Sequence, residues 1–292
     1  MPYPNMPGKY KDPALITADL DSKHKLFGDY PSWPLLNPEL PVPHTMVLTY
    51  GQFAKETVKS NKCWKYLDFH NDPLYVLNPD ALGHKTGLVE FSFYGADMTA
   101  LRMEELIKVG VKDFIIAGWA GALQTGLHIG DIVVCNKAIR DEGVSHHYLE
   151  PGKYVEADKT LVQELLASTI KSKIPTRVAP TYTTCAPLRT TAKEVKAYSG
   201  EGVVTVEMEA AAAFALAEHF TRKGMDIRAG AVFVISDSLA KLRWRPSANL
   251  PFNELSTVLQ IASKGELANC NETKDPRDGQ TAQSLENMIG LN

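Results

Sequence analysis

The chain has 292 residues, of which 44% are hydrophobic and 22% are charged, and its formal net charge at pH 7 is -3. This is the composition of an ordinary globular protein that is long enough to bury a sizeable core, and it excludes the disordered and fibrous classes. A protein that grips a nucleic-acid backbone normally carries a basic excess or a basic stripe. This sequence carries neither, so we expect no nucleic-acid partner.

The four cysteines are far apart and form no C-x-x-C pair. This spacing fits neither a zinc site nor a disulfide framework, so we expect reduced thiols and no metal. The N-terminal sequence lacks the apolar core of a signal peptide, and the longest apolar stretches are too short to span a membrane. The sequence therefore predicts a cytoplasmic protein without a membrane partner.

Nine of the eighteen prolines lie between Pro2 and Pro43. Proline fixes φ and lacks a backbone donor, so this stretch cannot form a regular helix or a central strand. A floppy tail is the alternative, but several leucines and aromatic residues here favour burial. We predict an extended arm over 1–44 that packs on the body of the protein or on a neighbouring subunit. One domain over 45–265 and a polar tail over 266–292 complete the chain.

From residue 45 onward, short apolar runs alternate with longer amphipathic segments. The short runs predict strands over 45–49, 87–93, 112–117, 131–138, 178–183, 203–206 and 227–235. The longer segments predict helices over 99–109, 159–172, 191–198, 208–223 and 253–263. A glycine-rich turn is expected over 118–130. This alternation indicates an α/β protein with a mostly parallel or mixed sheet covered on both faces, in which ligands bind at the carboxyl ends of strands.

The segment Gly118-Trp119-Ala120-Gly121 follows one of these strands. Its glycines can let a ligand approach the backbone closely, although a tight turn without a ligand is the commoner role of such a segment. The dinucleotide pattern G-x-G-x-x-G and the Gly-Lys-Ser/Thr ending of a phosphate loop are both absent. A dehydrogenase is therefore disfavoured.

Two further loops place polar groups just after a strand. The first contains Arg140, His146 and His147, and neighbouring histidines point in different directions on a regular backbone, so they do not share a metal. The second contains Thr184 and Arg189, and an arginine in this place could read the edge of a base. For each loop, a solvated surface loop is the alternative to a substrate-binding loop.

Glu207-Met208-Glu209 lies between a strand and an alanine-rich helix. The helix dipole favours acidic residues at a helix start, which accounts for either glutamate without a ligand. The pair also suits a site where a carboxylate binds the two vicinal hydroxyls of a ribose and the methionine packs on the sugar. Asp237, just after the strand over 227–235, either caps a helix or transfers a proton.

Taken in this order, these segments resemble the nucleoside phosphorylase family, which includes purine nucleoside phosphorylases, uridine phosphorylases and the methylthioadenosine/adenosylhomocysteine nucleosidases. The similarity runs from about residue 45 to about residue 245, and its most specific parts are 206–211 and 234–237. It implies a single α/β domain whose central mixed sheet is partly barrel-like and flanked by helices. It also implies a pentosyltransferase that releases the free base from a small-molecule nucleoside, with no cofactor and with phosphate as a possible co-substrate. The family further implies a homo-oligomer, either a dimer or a hexamer of dimers.

The resemblance also implies roles for individual residues. Glu209 would bind the ribose 2′ and 3′ hydroxyls, with Glu207 and Met208 lining the sugar pocket. Asp237 would protonate the departing base, and Arg189 with its loop would read the edge of the base. The bond is broken through an oxocarbenium-like transition state, so the enzyme works by positioning, charge stabilisation and protonation of the leaving group.

The nucleophile side departs from the family pattern. Phosphorolytic members hold phosphate with an arginine in an early loop, and with an arginine and a Ser/Thr at a strand end. Here the early loop at 49–53 has no arginine, and Ile116 and Trp119 occupy the other two positions. A dianionic phosphate needs several charge-assisted donors, so these changes favour hydrolysis by water. Phosphorolysis, hydrolysis and nucleoside binding without catalysis all stay open, and so does the base, because Asp237 favours a purine and the Arg140 loop favours uridine.

Overall fold

The computed structural model describes residues 9–11, 13–14, 42–51, 64–69, 72–77, 86–169 and 172–263. Most of the arm expected over 1–44 and all of the tail expected over 266–292 lie outside these residues, so both stay predictions. Within the described ranges, no helix is both long and apolar enough to cross a membrane.

Eleven strands and five α-helices make up the regular structure of the described residues. The strands are β1 Thr45–Tyr50, β2 Trp64–Phe69, β3 Asp72–Leu77, β4 Thr86–Phe91, β5 Asp113–Ala122, β6 Ile132–Asp141, β7 Tyr154–Glu156, β8 Thr176–Thr184, β9 Thr205–Glu207, β10 Arg228–Ser238 and β11 Arg245–Pro246. The helices are α1 Ala96–Val109, α2 Lys159–Thr169, α3 Ala192–Gly200, α4 Ala210–Arg222 and α5 Phe252–Ala262. Short 3-10 turns lie at Lys9–Lys11, Ser145–His147 and Pro187–Arg189.

All the strands belong to one mixed sheet, part of which closes into a barrel. The strand order is β11-β10-β6-β8-β9-β5-β1-β4-β3-β2, and β5 also pairs with β10, so β10, β6, β8, β9 and β5 form a closed ring of five. β1, β4, β5 and β10 run in one direction, whereas β6, β8 and β9 run in the other. The expected α/β domain with a mixed, partly barrel-like sheet is confirmed.

Alternate residues of the central strands face two hydrophobic cores. On β10, Ala231 and Phe233 pack in the core shared with α1 and α4, whereas Val232 and Val234 pack in the core shared with α5. Successive side chains point to opposite faces of a strand, so a strand covered on both faces needs an uninterrupted apolar run. The apolar runs of the sequence therefore correspond to the central strands of the sheet, such as β5 and β10.

The glycine-rich turn expected over 118–130 begins later than the sequence indicated. β5 continues to Ala122, so Gly118 and Gly121 are strand residues, and Gly121 pairs with Val206 of β9. Glycine weakens most strands, but a strand also uses it where other groups approach the backbone closely. Gly121 has this second role, because the Asp237 carboxylate approaches it closely.

Four strands were not predicted from the sequence. β7 and β11 have three and two residues, too few to show a periodicity. β2 and β3 pair as an antiparallel edge of the sheet, and the proline at the second position of β3 argues against a strand when the sequence is read alone. The other predicted elements are present, with ends that differ by a few residues.

Candidate active site

A cavity of about 480 Å³ opens beside the barrel, where strands of both directions meet. Five parts of the chain form its wall: Trp119, Ala120 and Gly121 of β5; Thr184, Pro187, Leu188 and Thr190; Val206, Glu207 and Met208; Ser236 and Asp237 of β10; and Leu239 and Trp244. The sequence predicts that Thr184, Glu207 and Asp237 meet at the carboxyl ends of strands in a mostly parallel or mixed sheet. They meet because β9 runs antiparallel to β5 and parallel to β8, which closes the barrel next to β10.

The Glu207 carboxylate is tied to the start of α4. One oxygen accepts a hydrogen bond from the Thr183 hydroxyl, and the other accepts the backbone N–H groups of Glu209 and Ala210, each at 2.7 Å. The first N–H groups of a helix have no partner within the helix, and the helix dipole favours negative charge there. Glu207 therefore accepts hydrogen bonds from N–H groups at the start of α4, and it also lines the cavity.

The Glu209 carboxylate lies between the N-termini of two helices. Glu209 is the N-cap residue of α4, and its Oε1 accepts the N–H of Gly95 at 2.8 Å. Gly95 is itself the N-cap residue of α1, and its φ of 112° is a conformation that favours glycine. Oε2 accepts the N–H of Met208 at 3.2 Å. Glu209 thus joins α1 to α4 through a buried, hydrogen-bonded carboxylate. It is not part of the cavity wall, so its role in binding the ribose stays a prediction.

The two buried carboxyl groups influence one another. Burial is the main cause that raises the pKa of Glu207, and its hydrogen bonds from Thr183 and two backbone N–H groups oppose that rise. Burial also raises the pKa of Glu209, and the negative charge of Glu207 raises it further. Glu207 accepts three hydrogen bonds and Glu209 accepts two, which favours the negative charge of the pair on Glu207.

Tyr50 and Tyr94 lie close to the hydrogen bond between Gly95 and Glu209, and no local pattern in the sequence predicts their place. The Tyr50 hydroxyl is 2.7 Å from Thr99 Oγ1, which in turn donates to the Gly95 carbonyl at 2.9 Å. Burial, followed by the charge of Glu209, raises the pKa of Tyr50, so Tyr50 stays a neutral hydrogen-bond donor. The ring of Tyr94 stacks on Tyr50, with ring centres 6.4 Å apart. These contacts join residues distant in sequence, which local patterns do not reveal.

Asp237 stands at the end of β10 with each carboxylate oxygen bound to a different side chain. Its Oδ1 accepts the Ser236 hydroxyl at 2.7 Å, and its Oδ2 accepts the indole N–H of Trp244 at 2.9 Å. The pairing of β10 with β5 shifts register between Ile235 and Asp237, an irregularity of the kind that re-aims a side chain. A Cβ atom added at Gly121 would lie 3.0 Å from Asp237 Oδ2, so glycine there makes room for the carboxylate.

Most of the other residues expected in the site lie on the cavity wall. Trp119, Ala120, Thr184 and Met208 all line it. The edge of the Trp119 ring also packs against Phe252 at the start of α5, with ring centres 5.9 Å apart. The indole is therefore held between the cavity and the core formed with α5.

Gly118 and Arg189 lie near the cavity without forming its wall. A Cβ atom at Gly118 would lie 4.0 Å from the ring of Tyr50, so Gly118 faces Tyr50. Arg189 ends an exposed 3-10 turn whose other two residues, Pro187 and Leu188, do line the cavity. A role for either residue in substrate binding stays a prediction.

His146 belongs to a loop that is organised by Arg140. The Arg140 side chain is buried and donates to the Ser145 hydroxyl at 3.0 Å and to the carbonyls of Ser145 and Glu150 at 2.9 and 2.7 Å. A ring nitrogen of His146 lies 3.0 Å from the Arg140 carbonyl oxygen. Arg140 thus holds the loop together, and the role of His146 in substrate binding stays a prediction.

Two of the positions at which the resemblance implies phosphate ligands, Ile116 and Trp119, carry apolar or aromatic side chains. Ile116 is completely buried in the core, and Trp119 fills part of the cavity wall. Among the described residues, the wall includes no arginine, lysine or histidine side chain. The described part of the chain also has no cluster of three or more His, Cys, Asp or Glu residues that could hold a metal ion.

Comparisons with known proteins identify the family of the chain. Residues 82–264 match the model of the phosphorylase superfamily. The chain is 31% identical over 163 residues to the guanosine phosphorylase of Halorubrum lacusprofundi, covering 52% of this chain and 66% of the relative. It is 29% identical over 153 residues to the purine nucleoside phosphorylase of Plasmodium vivax, covering 51% of this chain and 60% of the relative. Over a shorter stretch of 55 residues, it is 42% identical to the uridine phosphorylase of Thermococcus kodakarensis, covering 19% of this chain and 20% of the relative.

The fold matches a solved structure of the P. knowlesi homologue of P. falciparum PNP, with a TM-score of 0.62 and 21% identity, over 78% of this chain and 90% of the other. The aligned segments span less than two thirds of the length of the curated relatives. The family match, however, covers more than half of this chain and includes all of the cavity wall. The chain therefore belongs to the phosphorylase superfamily, the family of the purine nucleoside and uridine phosphorylases.

Proposed function

We propose that this protein cleaves the N-glycosidic bond of a nucleoside and releases the free base. One observation carries the proposal: a single cavity is lined by Glu207, a buried carboxyl group next to Glu209 at a helix start, and by Asp237, a more accessible carboxyl group at a strand end. The reaction needs these two functions, a negative group near the sugar and a proton donor near the base.

On the sugar side, Glu209 binds the ribose 2′ and 3′ hydroxyls and Met208 packs on the ring. The neighbouring charge of Glu207, fixed by Thr183 and the α4 backbone, stabilises positive charge that develops on the sugar in the transition state. These groups are held before the substrate arrives, so little reorganisation accompanies the reaction. Arg189, which follows the lining residue Leu188, reads the edge of the base.

On the base side, Asp237 delivers a proton to a ring nitrogen as the glycosidic bond breaks. The bonding electron pair leaves with the base, the proton neutralises it, and the nucleophile bonds to the C1′ carbon of the sugar. An aspartate in this place suits a purine, because the purine N7 has a lone pair that can accept the proton, whereas N3 of uracil already carries a hydrogen. The likeness to a guanosine phosphorylase supports the same choice, so we propose a purine nucleoside as substrate.

For the nucleophile, phosphate is the first candidate and water is the second. The named relatives are phosphorylases, which supports phosphate as co-substrate. The apolar character of Ile116 and Trp119, and the lack of a cationic side chain on the described cavity wall, favour water. The reaction needs no further cofactor under either mechanism.

A nucleoside panel tests the proposal. The protein is incubated with guanosine, inosine, adenosine and uridine, each with and without inorganic phosphate, and released base is measured by chromatography. We expect release from the purine nucleosides, and ribose 1-phosphate or free ribose as the second product distinguishes phosphorolysis from hydrolysis. Tight binding of a nucleoside without release would instead indicate a non-catalytic binding protein.

We further propose that the protein is a homo-oligomer, either a dimer or a hexamer of dimers, and works in the cytoplasm. The family resemblance supports the oligomer. Light scattering on the full chain measures the mass, and a monomer at micromolar concentration would contradict the proposal.

A further inference from the structure

Trp244 is a large aromatic residue that stays mostly in solvent at the mouth of the cavity. It is 64% exposed, yet its indole N–H is bound to Asp237. The chain reaches this place by a turn after β10 in which Leu242 adopts a positive φ of 55°, followed by the short strand β11. β11 pairs with the end of β10, setting Asp237 opposite Pro246. The hairpin thus brings a tryptophan back to the strand end that carries the proposed proton donor.

The two side chains that bind Asp237 differ in whether they can accept a hydrogen bond as well as donate one. The indole N–H of Trp244 is a donor only, so the oxygen that it binds, Oδ2, must act as an acceptor. The Ser236 hydroxyl can donate or accept. It donates to Oδ1 here at 2.7 Å, and the carbonyl of Ala120 lies 3.4 Å away as an alternative acceptor. A proton can therefore be accommodated on Oδ1 by rotation of Ser236, whereas a proton on Oδ2 would face the indole N–H.

We propose that Trp244 is a positioning residue that directs proton delivery to the Oδ1 atom of Asp237. This inference rests on the proposed function and adds a residue and an atom to it. The indole fixes Oδ2 as an acceptor and thereby fixes the plane of the carboxyl group. Oδ1 carries the proton, which passes to the ring nitrogen of the base as the glycosidic bond breaks and the base takes the bonding electron pair. Asp237 is left as the carboxylate, with Ser236 turned back to donate to Oδ1.

Two substrates can distinguish the hydrogen bond that Trp244 makes to Asp237 from the packing of its ring on the cavity wall. Guanosine needs a proton on its base before or during departure. A 7-methylguanosine base already carries a positive charge, so its departure needs no proton donor. Loss of the indole N–H should therefore slow guanosine cleavage and leave 7-methylguanosine cleavage nearly unchanged. Loss of wall packing should affect both substrates alike.

The test compares the wild-type protein with Trp244→Phe, which keeps an aromatic ring and removes the N–H. For guanosine, we expect kcat to fall roughly tenfold or more, the effect of losing a hydrogen bond to a charged group, while KM changes little. For 7-methylguanosine, we expect kcat within about twofold of the wild type, because no proton transfer is lost. Site-specific replacement by a benzothienyl analogue of tryptophan, which has the same shape without the N–H, should reproduce the same selectivity.

Two controls make the outcome decisive. Trp119→Phe changes another aromatic residue of the same wall and should alter both substrates to a similar extent. Titration with free guanine should change the tryptophan fluorescence of the wild type more than that of Trp244→Phe, because the base contacts the ring. Equal loss for both substrates in Trp244→Phe, or no loss in either, would overturn the inference. If the wild type cleaves neither substrate, the proposed function fails, and the role of Trp244 that rests on it fails as well.

Discussion

The start of α4 and the end of β10 each place one carboxyl group on the wall of the cavity, Glu207 and Asp237, but they hold these groups by different means. Glu207 and Glu209 are buried, and most of their hydrogen bonds come from backbone N–H groups. Asp237 is more accessible, and its recorded partners are the side chains of Ser236 and Trp244. Backbone partners cannot rotate away, whereas the Ser236 hydroxyl can.

This difference separates the two tasks of the site. A group that stabilises charge on the sugar gains from rigid, prearranged surroundings. A group that gives up a proton must exchange hydrogen-bond partners during the reaction, which side chains allow. Changes at the start of α4 should therefore affect stability together with activity, whereas changes at Asp237 should affect activity with little effect on stability.

Asp237→Asn should produce the largest effect on turnover. An amide keeps the shape and can still accept the Trp244 N–H, but it cannot deliver a proton. We expect kcat for guanosine to fall by ~10²–10⁴-fold, the usual contribution of general acid catalysis. Steady-state kinetics with guanosine measures the loss of activity, and thermal unfolding measures the change in stability.

Asp226→Asn is a matched control for that change. Asp226 is exposed in a turn with a positive φ of 49°, a conformation that asparagine also adopts readily. The same chemical change should leave turnover as in the wild type. A large loss of stability in Asp237→Asn would contradict the proposed separation between the two regions.

Glu207→Ala should have the largest effect on stability. The change leaves the Thr183 hydroxyl and the N–H groups of Glu209 and Ala210 without their acceptor in a buried place. We expect the free energy of unfolding to fall by about 2–3 kcal/mol, as for unsatisfied buried polar groups. Glu207→Gln keeps one acceptor oxygen and should recover most of that stability. Denaturant titration of both variants checks the prediction, and equal losses would show that charge, not hydrogen bonding, sustains the helix start.

Much of the fold could be read from the sequence because hydrophobic patterns are local. The apolar runs at β5 and β10 predicted buried strands, and the alanines of α4 predicted a closely packed helix. Closure of the barrel followed only from the family resemblance. It depends on pairs such as Gly121 with Val206, which are distant in sequence and leave no local signal.

The candidate site was predicted unevenly for the same reason. Glu207, Met208 and Asp237 line the cavity, because each follows directly from a strand end that the sequence indicated. Trp244 was missed, since its hairpin rests on a two-residue strand and a turn with no typical turn residue at the positive φ of Leu242. A tryptophan seven residues after a predicted strand-end aspartate is the only signal that the sequence offered.

Glu209→Gln should change how stability depends on pH. The pKa of Glu209 in the folded protein is raised above the ordinary value of 4.5, mainly by burial and then by the charge of Glu207. A raised pKa contributes stability that is fully present below the unfolded-state pKa and is lost as pH rises through the folded-state pKa. The wild type should therefore lose stability relative to Glu209→Gln as pH rises above 4.5. The difference should grow by at most about 1.4 kcal/mol per pH unit.

Denaturant titrations between acid and mildly basic pH measure this difference. Glu201→Gln is a control of opposite sign, because the hydrogen bond from Lys153 lowers the pKa of Glu201. Stability gained from that pair is present above the unfolded-state pKa and is lost as pH falls. Parallel pH curves for Glu209→Gln and the wild type would show that folding does not raise the pKa of Glu209.

Gly121→Ala should have the smallest effect on stability and still disturb the base side. The added Cβ would lie 3.0 Å from Asp237 Oδ2 and from a methyl group of Leu239, and both atoms end side chains that can shift. We expect a loss of about 1 kcal/mol, the low end of overpacking. Turnover of guanosine should fall more than turnover of 7-methylguanosine, because the displaced atom is the carboxylate oxygen that binds Trp244. Gly118→Ala, whose Cβ would meet Tyr50 only at 4.0 Å, should leave stability within about 0.5 kcal/mol of the wild type. Equal slowing of both substrates by Gly121→Ala would show that the added methyl group acts by filling the cavity. The Asp237 carboxylate would then be held as rigidly as the carboxyl pair at the start of α4.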